Sequence, residues 1–188
     1  MSMPAKEIKI RPKDVYTYDD YAVLPEGTPY QLIGGKLVMT PSPTTYHQDI
    51  VICLAEKILN FNAKEKVGKI YVSPVDVYFE EKETYQPDII FILKERLHII
   101  ELTKINGAPD LVMEILSPAT AYYDLKEKFK VYARHGVKEY WIVDPKDKSI
   151  EIYEGQEGKF KQVQRAEEEG KVKSSALKGF EVELKDIF

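Results

Sequence analysis

Two short segments, apolar at every position except for their carboxylates, constrain the fold of this chain most strongly. Residues 88–92 (Asp-Ile-Ile-Phe-Ile) follow Pro87, and residues 110–116 (Asp-Leu-Val-Met-Glu-Ile-Leu) follow a turn at residues 106–109. A strand with apolar side chains on both faces lies inside a sheet that is covered on both sides. We therefore expect both segments to be interior strands of an α/β protein.

The sequence before residue 88 predicts a hairpin, a helix and a further strand. Gly34-Gly35 separates two short strand-like runs at the spacing of a tight turn. A capping box at residues 45–48 precedes an apolar stripe at helical spacing over residues 47–61. Residues 69–79 alternate as one strand, in which Pro74 indicates an edge position or a bulge.

The sequence after residue 92 predicts two helices and several strands. Residues 97–102 are typical of a short helix, and the buried face of a longer helix that stops at Gly136 is marked by Leu125, Phe129, Tyr132 and Ala133. Another interior strand is expected at residues 140–143, and half-exposed strands are expected at residues 150–153, 160–164 and 180–184. Together these elements predict a mixed sheet flanked by helices, with antiparallel strands at its periphery.

Length and composition predict one soluble domain. The chain has 188 residues, of which 44% are hydrophobic and 31% charged, so we expect a single domain with a polar arm at residues 1–17. The longest apolar runs, such as residues 50–55, fall far short of the roughly 20 residues that cross a bilayer. Residues 1–14 lack the apolar core of a secretory signal, which predicts a cytoplasmic protein. The one cysteine, Cys53, has the apolar neighbours of a core residue.

Glu114 lies in the middle of an apolar strand, where an ionised carboxylate needs a partner. Either a nearby Lys or Arg pairs with it or a bound cation neutralises it, and this residue alone leaves both readings open. Asp88 opens the other apolar strand, and two carboxylates on adjacent strands can converge on a hard cation such as Mg²⁺. The cation would also relieve the repulsion between the two side chains.

Four short motifs resemble one known family. They are residues 86–88 (Gln-Pro-Asp), 107–118 (Gly-Ala-Pro-Asp-Leu-Val-Met-Glu-Ile-Leu-Ser-Pro), 124–128 (Asp-Leu-Lys-Glu-Lys) and 137–145 (Val-Lys-Glu-Tyr-Trp-Ile-Val-Asp-Pro). Pro87-Asp88 followed by Glu114 looks like the signature of PD-(D/E)XK nucleases. The order and spacing of all four motifs are similar to those of the Uma2 family of restriction endonucleases, over a stretch from about residue 18 to residue 188.

The resemblance implies a restriction-endonuclease-like core and a metal-dependent endonuclease that acts on DNA. Asp88 and Glu114 would bind Mg²⁺, with Mn²⁺ as a substitute. In the wider superfamily a lysine stands two residues after the glutamate, but that position here is Leu116. Lys128 matches the place where this family carries the lysine, and it would orient or deprotonate the attacking water. Spacing alone favours an exposed i, i+4 ion pair between Asp124 and Lys128, and the family resemblance reverses that preference.

Other residues depart from the family pattern or could supplement the site. The family has acids in the first hairpin where this chain has Gln31 and Lys36. His47 could compensate from the start of its helix, although such a histidine is more often structural. Asp76 and Asp110 also lie at strand positions, where hydrogen bonding to nearby groups is the simpler role.

A nucleic-acid partner is predicted from a basic stripe, and a second copy of the chain is predicted from the cleavage of both DNA strands. Lys126, Lys130 and Arg134 fall at four-residue steps on one helix, either as a solvated face or as a surface that follows nucleic-acid phosphates. A homodimer is expected because enzymes that cut both strands commonly present two sites. Two alternatives to a nuclease stay open, namely a nucleic-acid-binding module that has lost catalysis and a protein-interaction module whose carboxylates are merely paired.

Overall fold

The structure, a computed structural model, describes residue 10 and residues 12–25 and 27–188. More than half of the polar arm expected at residues 1–17 therefore lies outside the described residues. Among the described helices, none combines the length and the apolar character required to span a membrane.

Thirteen strands and three α-helices are present in the described part of the chain. The strands are β1 (Tyr30–Ile33), β2 (Lys36–Met39), β3 (Gly68–Val72), β4 (Val77–Glu80), β5 (Glu83–Tyr85), β6 (Ile89–Leu93), β7 (Ile105–Asn106), β8 (Leu111–Ile115), β9 (Glu139–Asp144), β10 (Ser149–Gln156), β11 (Lys159–Glu167), β12 (Lys171–Lys173) and β13 (Glu181–Glu183). The helices are α1 (Tyr18–Ala22), α2 (Thr45–Glu65) and α3 (Phe129–His135), with 3₁₀ turns at Lys94–Ile99 and Leu184–Asp186 and a π-helical segment at Tyr123–Lys128.

The strands form a mixed architecture with antiparallel edges, as the sequence predicts. The central sheet has six strands in the order β11-β10-β9-β8-β6-β3, in which β8 and β9 are parallel and the other neighbours antiparallel. A second sheet has the order β2-β1-β5-β4-β7, and β12 pairs with β13. The predicted mixed sheet flanked by helices is confirmed.

The two apolar strands lie inside the central sheet, side by side. In β6 and β8 the register pairs Ile89 with Met113, and every side chain of β8 is buried. Successive side chains of β6 belong alternately to two hydrophobic cores, one on each face of the central sheet. Ile89 and Phe91 pack with α2 on one face of the sheet, and Ile90 and Ile92 pack on the other face with residues of the second sheet and α3. Burial on both faces explains why neither strand alternates in polarity.

The first hairpin and the start of α2 follow their local sequence closely. Gly34 and Gly35 have φ values of 57° and 72°, as a two-residue turn of this kind requires, and Ile33 pairs with Lys36 across it. Helix α2 begins at Thr45, but the N-cap is the preceding residue, Thr44, whose hydroxyl accepts a hydrogen bond from the N–H of His47 at 3.2 Å. The capping box predicted at residues 45–48 is therefore wrong, because Thr44 is the N-cap and the third residue after it is His47, which is neither Glu nor Gln.

The single strand predicted over residues 69–79 is wrong. Residues 68–72 pair with β6 in the central sheet, whereas residues 77–80 pair with β5 in the second sheet. Pro74 lies between them, has no amide hydrogen to donate to a ladder and fixes φ, so the chain leaves one sheet here and enters the other. The short helix predicted at residues 97–102 is a 3₁₀ turn that begins three residues earlier, at Lys94.

The helix expected before Gly136 ends where the sequence predicts but begins differently. Gly136 is the C-cap of the helix and adopts the left-handed conformation, with φ of 87°. Tyr132 and Ala133 are buried, as predicted. Leu125, expected on the buried face, is 41% exposed. Residues 123–128 form a π-helix, whose hydrogen bonds reach one residue further than those of an α-helix, so the α-helical phase does not extend back to Leu125.

Asp110, directly before β8, links the central sheet to its surroundings. Its carboxylate accepts hydrogen bonds from the N–H of Leu93 at 2.8 Å and from Arg96 at 3.0 Å, and lies 2.8 Å from the Lys138 ammonium. Burial alone would raise the pKa of this carboxyl, but the bonds from Lys138, Leu93 and Arg96 outweigh burial and lower it. The sequence prediction that Asp110 is a hydrogen-bonding strand-end residue is confirmed.

We predict that Asp110→Asn lowers the free energy of unfolding by about 2 kcal/mol at neutral pH, because two charge-assisted contacts are lost. A lowered pKa means that the contribution of Asp110 is present above the unfolded-state pKa of about 3.9 and is lost as pH falls through the folded-state value. Urea unfolding at pH 7 and below pH 4 measures both effects. The two proteins should converge in stability at low pH, and a constant difference across this range would contradict the assignment.

Candidate active site

Asp88 and Glu114 meet where β6 begins and β8 ends. The Asp88 carboxylate accepts a hydrogen bond from the N–H of Ile115 at 2.8 Å, and the N–H of Asp88 lies 3.4 Å from Oε2 of Glu114. Glu114 is almost fully buried, whereas the Asp88 side chain keeps 18% of its surface exposed. The structure thus brings together the two carboxylates that the sequence singles out, and Asp88 forms their opening to solvent.

Lys128 inserts its ammonium between two buried carboxylates. Its Nζ lies 3.0 Å from Oε1 of Glu114 and 2.8 Å from Oδ1 of Asp124, and all three side chains are at most 3% exposed. The contact with Glu114 is a hydrogen bond, while that with Asp124 is a close ion pair without hydrogen-bond alignment. The alternative reading of Asp124 and Lys128 as an exposed helix-surface pair is therefore wrong.

Three buried tyrosines surround these ionised groups. Tyr132 donates a hydrogen bond to Oε1 of Glu114 at 2.6 Å, and Tyr140 donates one to the backbone carbonyl of Asp124 at 3.2 Å. The ring of Tyr85 lies 5.9 Å from the Lys128 ammonium. The sequence placed Tyr132 only on a buried helix face, although its position four residues after Lys128 is the signal that both side chains point the same way.

Burial and the mutual influence of acidic and basic side chains govern the electrostatics of the site. Burial raises the pKa of Glu114 to about 8, and the charges of Asp124 and Asp88 add to this effect against the opposing influence of Lys128. Burial alone would lower the pKa of Lys128, but the adjacent Asp124 and Glu114 carboxylates outweigh it and raise that pKa. Lys128 therefore keeps its proton, and its ammonium is shared by Glu114 and Asp124, while Asp88 pairs with His47.

His47 reaches the same place from the first turn of α2. Its Nε2 lies 3.3 Å from Oδ2 of Asp88 and 3.1 Å from the carbonyl oxygen of Ile115. Burial acts to lower the pKa of His47, but the hydrogen bond and the charge of Asp88 outweigh it, so the pKa is raised. Its Nδ1 is buried and has no hydrogen-bond partner among the described residues. The structure thus places His47 against Asp88, where the sequence suggested an auxiliary residue.

Among the described residues, Asp76, and the two residues that stand where the family has acids, Gln31 and Lys36, form no hydrogen bond or ion pair with the Glu114 and Lys128 side chains. Gln31 is buried in β1, and its Oε1 accepts a hydrogen bond from the N–H of Gln86 at 3.0 Å, while Lys36 is exposed on β2. Asp76 accepts hydrogen bonds from Tyr21 at 2.7 Å and from the Gln86 side chain at 2.9 Å. Asp76 therefore has the hydrogen-bonding role that the sequence predicts.

The oxygen donors at the site match the preferences of a small hard cation. Asp88 and Glu114 offer two carboxylates, and the Ile115 carbonyl oxygen lies beside them next to His47. Within the described ranges, no group of three or more His, Cys, Asp or Glu side chains is arranged to hold a metal ion. Two carboxylates suit Mg²⁺, which binds through one or two such groups and keeps several of its waters.

The basic stripe lies on the opposite side of the helical stretch from the buried cluster. Lys126, Lys130 and Arg134 are exposed, as their spacing predicts. Arg134 forms an ion pair with Glu80, and Nζ of Lys130 lies 4.0 Å from a carboxylate oxygen of Glu127. Part of the positive charge on this face is thus neutralised by neighbouring acids, and its nucleic-acid role stays a prediction.

Comparison with known proteins supplies the family. A model of the Uma2 family, described as putative restriction endonucleases, matches residues 16–185. The chain belongs to the Uma2 family. The crystal structure of a putative nuclease belonging to DUF820, from Anabaena variabilis, superimposes with a TM-score of 0.76 at 24% identity, covering 92% of this chain and 97% of that one. An uncharacterized protein of Synechocystis is 24% identical over 126 residues, which are 66% of this chain and 71% of that protein.

In this Uma2 protein the position two residues after Glu114 has an apolar role. Leu116 is half-buried and packs against the core on the α3 side of the central sheet. The lysine ammonium beside Glu114 comes instead from the π-helical segment. In this segment the Lys128 side chain points inward, while Lys126 remains exposed. The family resemblance seen in the sequence is confirmed, and so is the restriction-endonuclease-like fold.

We predict that Lys128→Ala lowers the free energy of unfolding by about 3–5 kcal/mol, because two buried carboxylates lose their counter-charge. The matched control is Lys126→Ala on the same segment, whose side chain is exposed and whose loss should change stability by at most about 0.5 kcal/mol. Chemical denaturation of both variants makes the comparison. Small and equal effects would show that the ion cluster is not buried in solution.

Proposed function

We propose that this protein is a Mg²⁺-dependent nuclease that hydrolyses phosphodiester bonds in DNA. The observation that carries the proposal is the cluster of three acids, in which Glu114 and Asp124 share the ammonium of Lys128 and Asp88 lies beside Glu114 at the opening to solvent. With Glu114 ionised, the cluster would hold net negative charge away from water, and a divalent cation at the Asp88 opening would compensate it and favour the ionised form. Family membership and the shared fold support nuclease chemistry at this site.

In this proposal Asp88 and Glu114 hold the metal. Bound there, Mg²⁺ would polarise a phosphoryl oxygen and lower the pKa of a coordinated water. His47 keeps the Asp88 carboxylate in place through its Nε2, and the N–H of Ile115 fixes the same carboxylate from the backbone. The partial exposure of Asp88 leaves an approach for a phosphate group from solvent.

Lys128 acts as a charged donor and not as a base. Its raised pKa keeps the ammonium protonated, so it can orient a water molecule and stabilise developing negative charge but cannot accept a proton. Asp124 holds the ammonium from the side away from Glu114 and is a positioning residue. Of the two roles that the resemblance allows for this lysine, orientation is the one we propose.

Substrate binding and assembly complete the proposal. We expect DNA to run along the exposed Lys126, Lys130 and Arg134 side chains, with a strong dependence on salt. A homodimer would present two such sites to the two strands of a duplex. We expect the protein to act in the cytoplasm.

One observation favours a second candidate, a DNA-binding module without catalysis. At position 31 this chain has a neutral amide where the family has an acid, and that amide is committed to the backbone of Gln86. A metal held by only two carboxylates would bind more weakly than one held by three. A protein-interaction module with merely paired carboxylates is a third candidate.

One experiment separates these candidates. Purified protein and the Asp88→Asn variant are incubated with supercoiled plasmid, single-stranded DNA and RNA, with and without Mg²⁺ or Mn²⁺. Metal-dependent plasmid cleavage by the wild type alone supports the proposal. Salt-sensitive DNA binding without cleavage identifies the inactive module, and absence of both overturns any nucleic-acid function.

We predict that Mn²⁺ raises the melting temperature in a concentration-dependent way. At a hundredfold excess over Kd, binding stabilises the folded state by about 2.7 kcal/mol, which corresponds to a shift of roughly 5–10 °C for a chain of this size. Asp88→Asn should abolish the shift. Asp76→Asn, which alters an acid bonded elsewhere, should retain it, and equal shifts in both variants would rule out the proposed ligands.

We predict that Lys128→Met reduces cleavage by about 100- to 1,000-fold while DNA binding persists, because the lost charge acts mainly in the transition state. Methionine keeps the length of the side chain but not the counter-charge of Glu114 and Asp124, so circular dichroism must show that the variant is folded at the assay temperature. Asp124→Asn is the control, since it retains the ammonium and should reduce the rate far less. Single-turnover rates at saturating Mg²⁺ make the measurement, and a Lys128→Met rate equal to that of the wild type would exclude this lysine.

A further inference from the structure

The two oxygens of Glu114 have different surroundings. Oε1 is the acceptor for both side-chain donors at the site, the Lys128 ammonium at 3.0 Å and the Tyr132 hydroxyl at 2.6 Å. Oε2 instead faces Asp88, whose N–H lies 3.4 Å away in a long and weak contact. The carboxylate is therefore held firmly at Oε1 and only weakly at Oε2.

Tyr132 is fixed by its neighbours and has little freedom to turn away. It is fully buried, and its ring packs against those of Phe79, Tyr85 and Tyr140 with centroid separations of 5.4, 5.7 and 5.2 Å. The rigid ring thus aims one O–H at a single carboxylate oxygen.

We infer that Tyr132 is a positioning residue that reserves Oε2 of Glu114 for the metal and thereby selects the kind of cation. Two donors on Oε1 leave that oxygen little capacity for a further ligand, so Glu114 would bind through one oxygen only. Mg²⁺ and Mn²⁺ accept such single-oxygen ligation in a regular octahedron, whereas Ca²⁺ prefers more ligands and gains some of them by taking carboxylates through both oxygens. This inference rests on the proposed function, because it assumes that Glu114 binds a metal.

Tyr140, in the same cluster of rings, is a matched control that separates a purely structural role of the Tyr132 hydroxyl from an effect on Glu114. Tyr140 is equally buried and packs directly on Tyr132, but its hydroxyl donates to the backbone carbonyl of Asp124. Tyr132→Phe and Tyr140→Phe each remove one buried hydroxyl and keep the ring. If metal affinity falls only because a buried hydroxyl is lost, it should fall in both variants. If it falls because the hydrogen bond to Glu114 is lost, it should fall in Tyr132→Phe alone.

Calorimetric titration of the wild type and both variants with Mn²⁺ and with Ca²⁺ tests the inference. We expect Tyr132→Phe to weaken Mn²⁺ binding by about 10- to 100-fold, as loss of a partner of a metal ligand does, and to weaken Ca²⁺ binding less or to strengthen it. The preference for Mn²⁺ over Ca²⁺ should therefore fall. Tyr140→Phe should leave both affinities and their ratio unchanged.

The outcomes separate this inference from the proposed function. If the wild type binds neither ion, both the metal site and the role of Tyr132 are overturned. If the wild type binds Mn²⁺ but Tyr132→Phe keeps the same affinity and the same ion preference, the metal site stands and only the role of Tyr132 fails. If both phenylalanine variants lose affinity equally, the hydroxyl effect is one of packing and the positioning role is overturned.

Discussion

The contact of the Lys128 ammonium with Glu114 and Asp124 is the interaction around which the rest of the site is arranged. Each of these charges would be costly inside the protein on its own. Strand β8 supplies Glu114, while the π-helical segment supplies Asp124 and Lys128. The aromatic cluster around Tyr132 then excludes water and provides the hydroxyl that completes the hydrogen bonding of Glu114. Packing and charge pairing are therefore mutually dependent here.

Much of the fold could be predicted because local sequence and global structure agree. The hairpin at Gly34 and the helix end at Gly136 follow from backbone conformations that glycine adopts readily, and the interior strands follow from their continuous apolar character. The break at Pro74 could not be placed, because alternation continues on both sides of it while the strands belong to different sheets. Leu125 was misplaced because a π-helical turn leaves no mark in an α-helical pattern.

The site was only partly predictable, since its members are brought together by tertiary contacts. Asp88 and Glu114 stand out as charges in apolar strands, but Lys128 required the family resemblance, because its spacing from Asp124 also fits an exposed pair. Outside the site, the buried carboxylate of Glu139 was not predicted either. It opens β9 as a buried carboxylate and accepts hydrogen bonds from a loop far along the chain, including the N–H of Ser175 at 2.6 Å and the hydroxyl of Ser174 at 2.7 Å. No sequence pattern near Glu139 predicts a contact with those distant donors.

The π-helical segment also limits how this chain can vary in length. A π-helical turn holds about one residue more than an α-helical turn, so losing one residue between Asp124 and Lys128 would shorten the spacing of the pair from i, i+4 to i, i+3. The Asp124 carboxylate would then change its position relative to the Lys128 ammonium, while Glu114 would keep its place on β8. Substitutions at the exposed Leu125 or Lys126 carry no such penalty. At this point in the chain the number of residues is as much a part of the site as their identity.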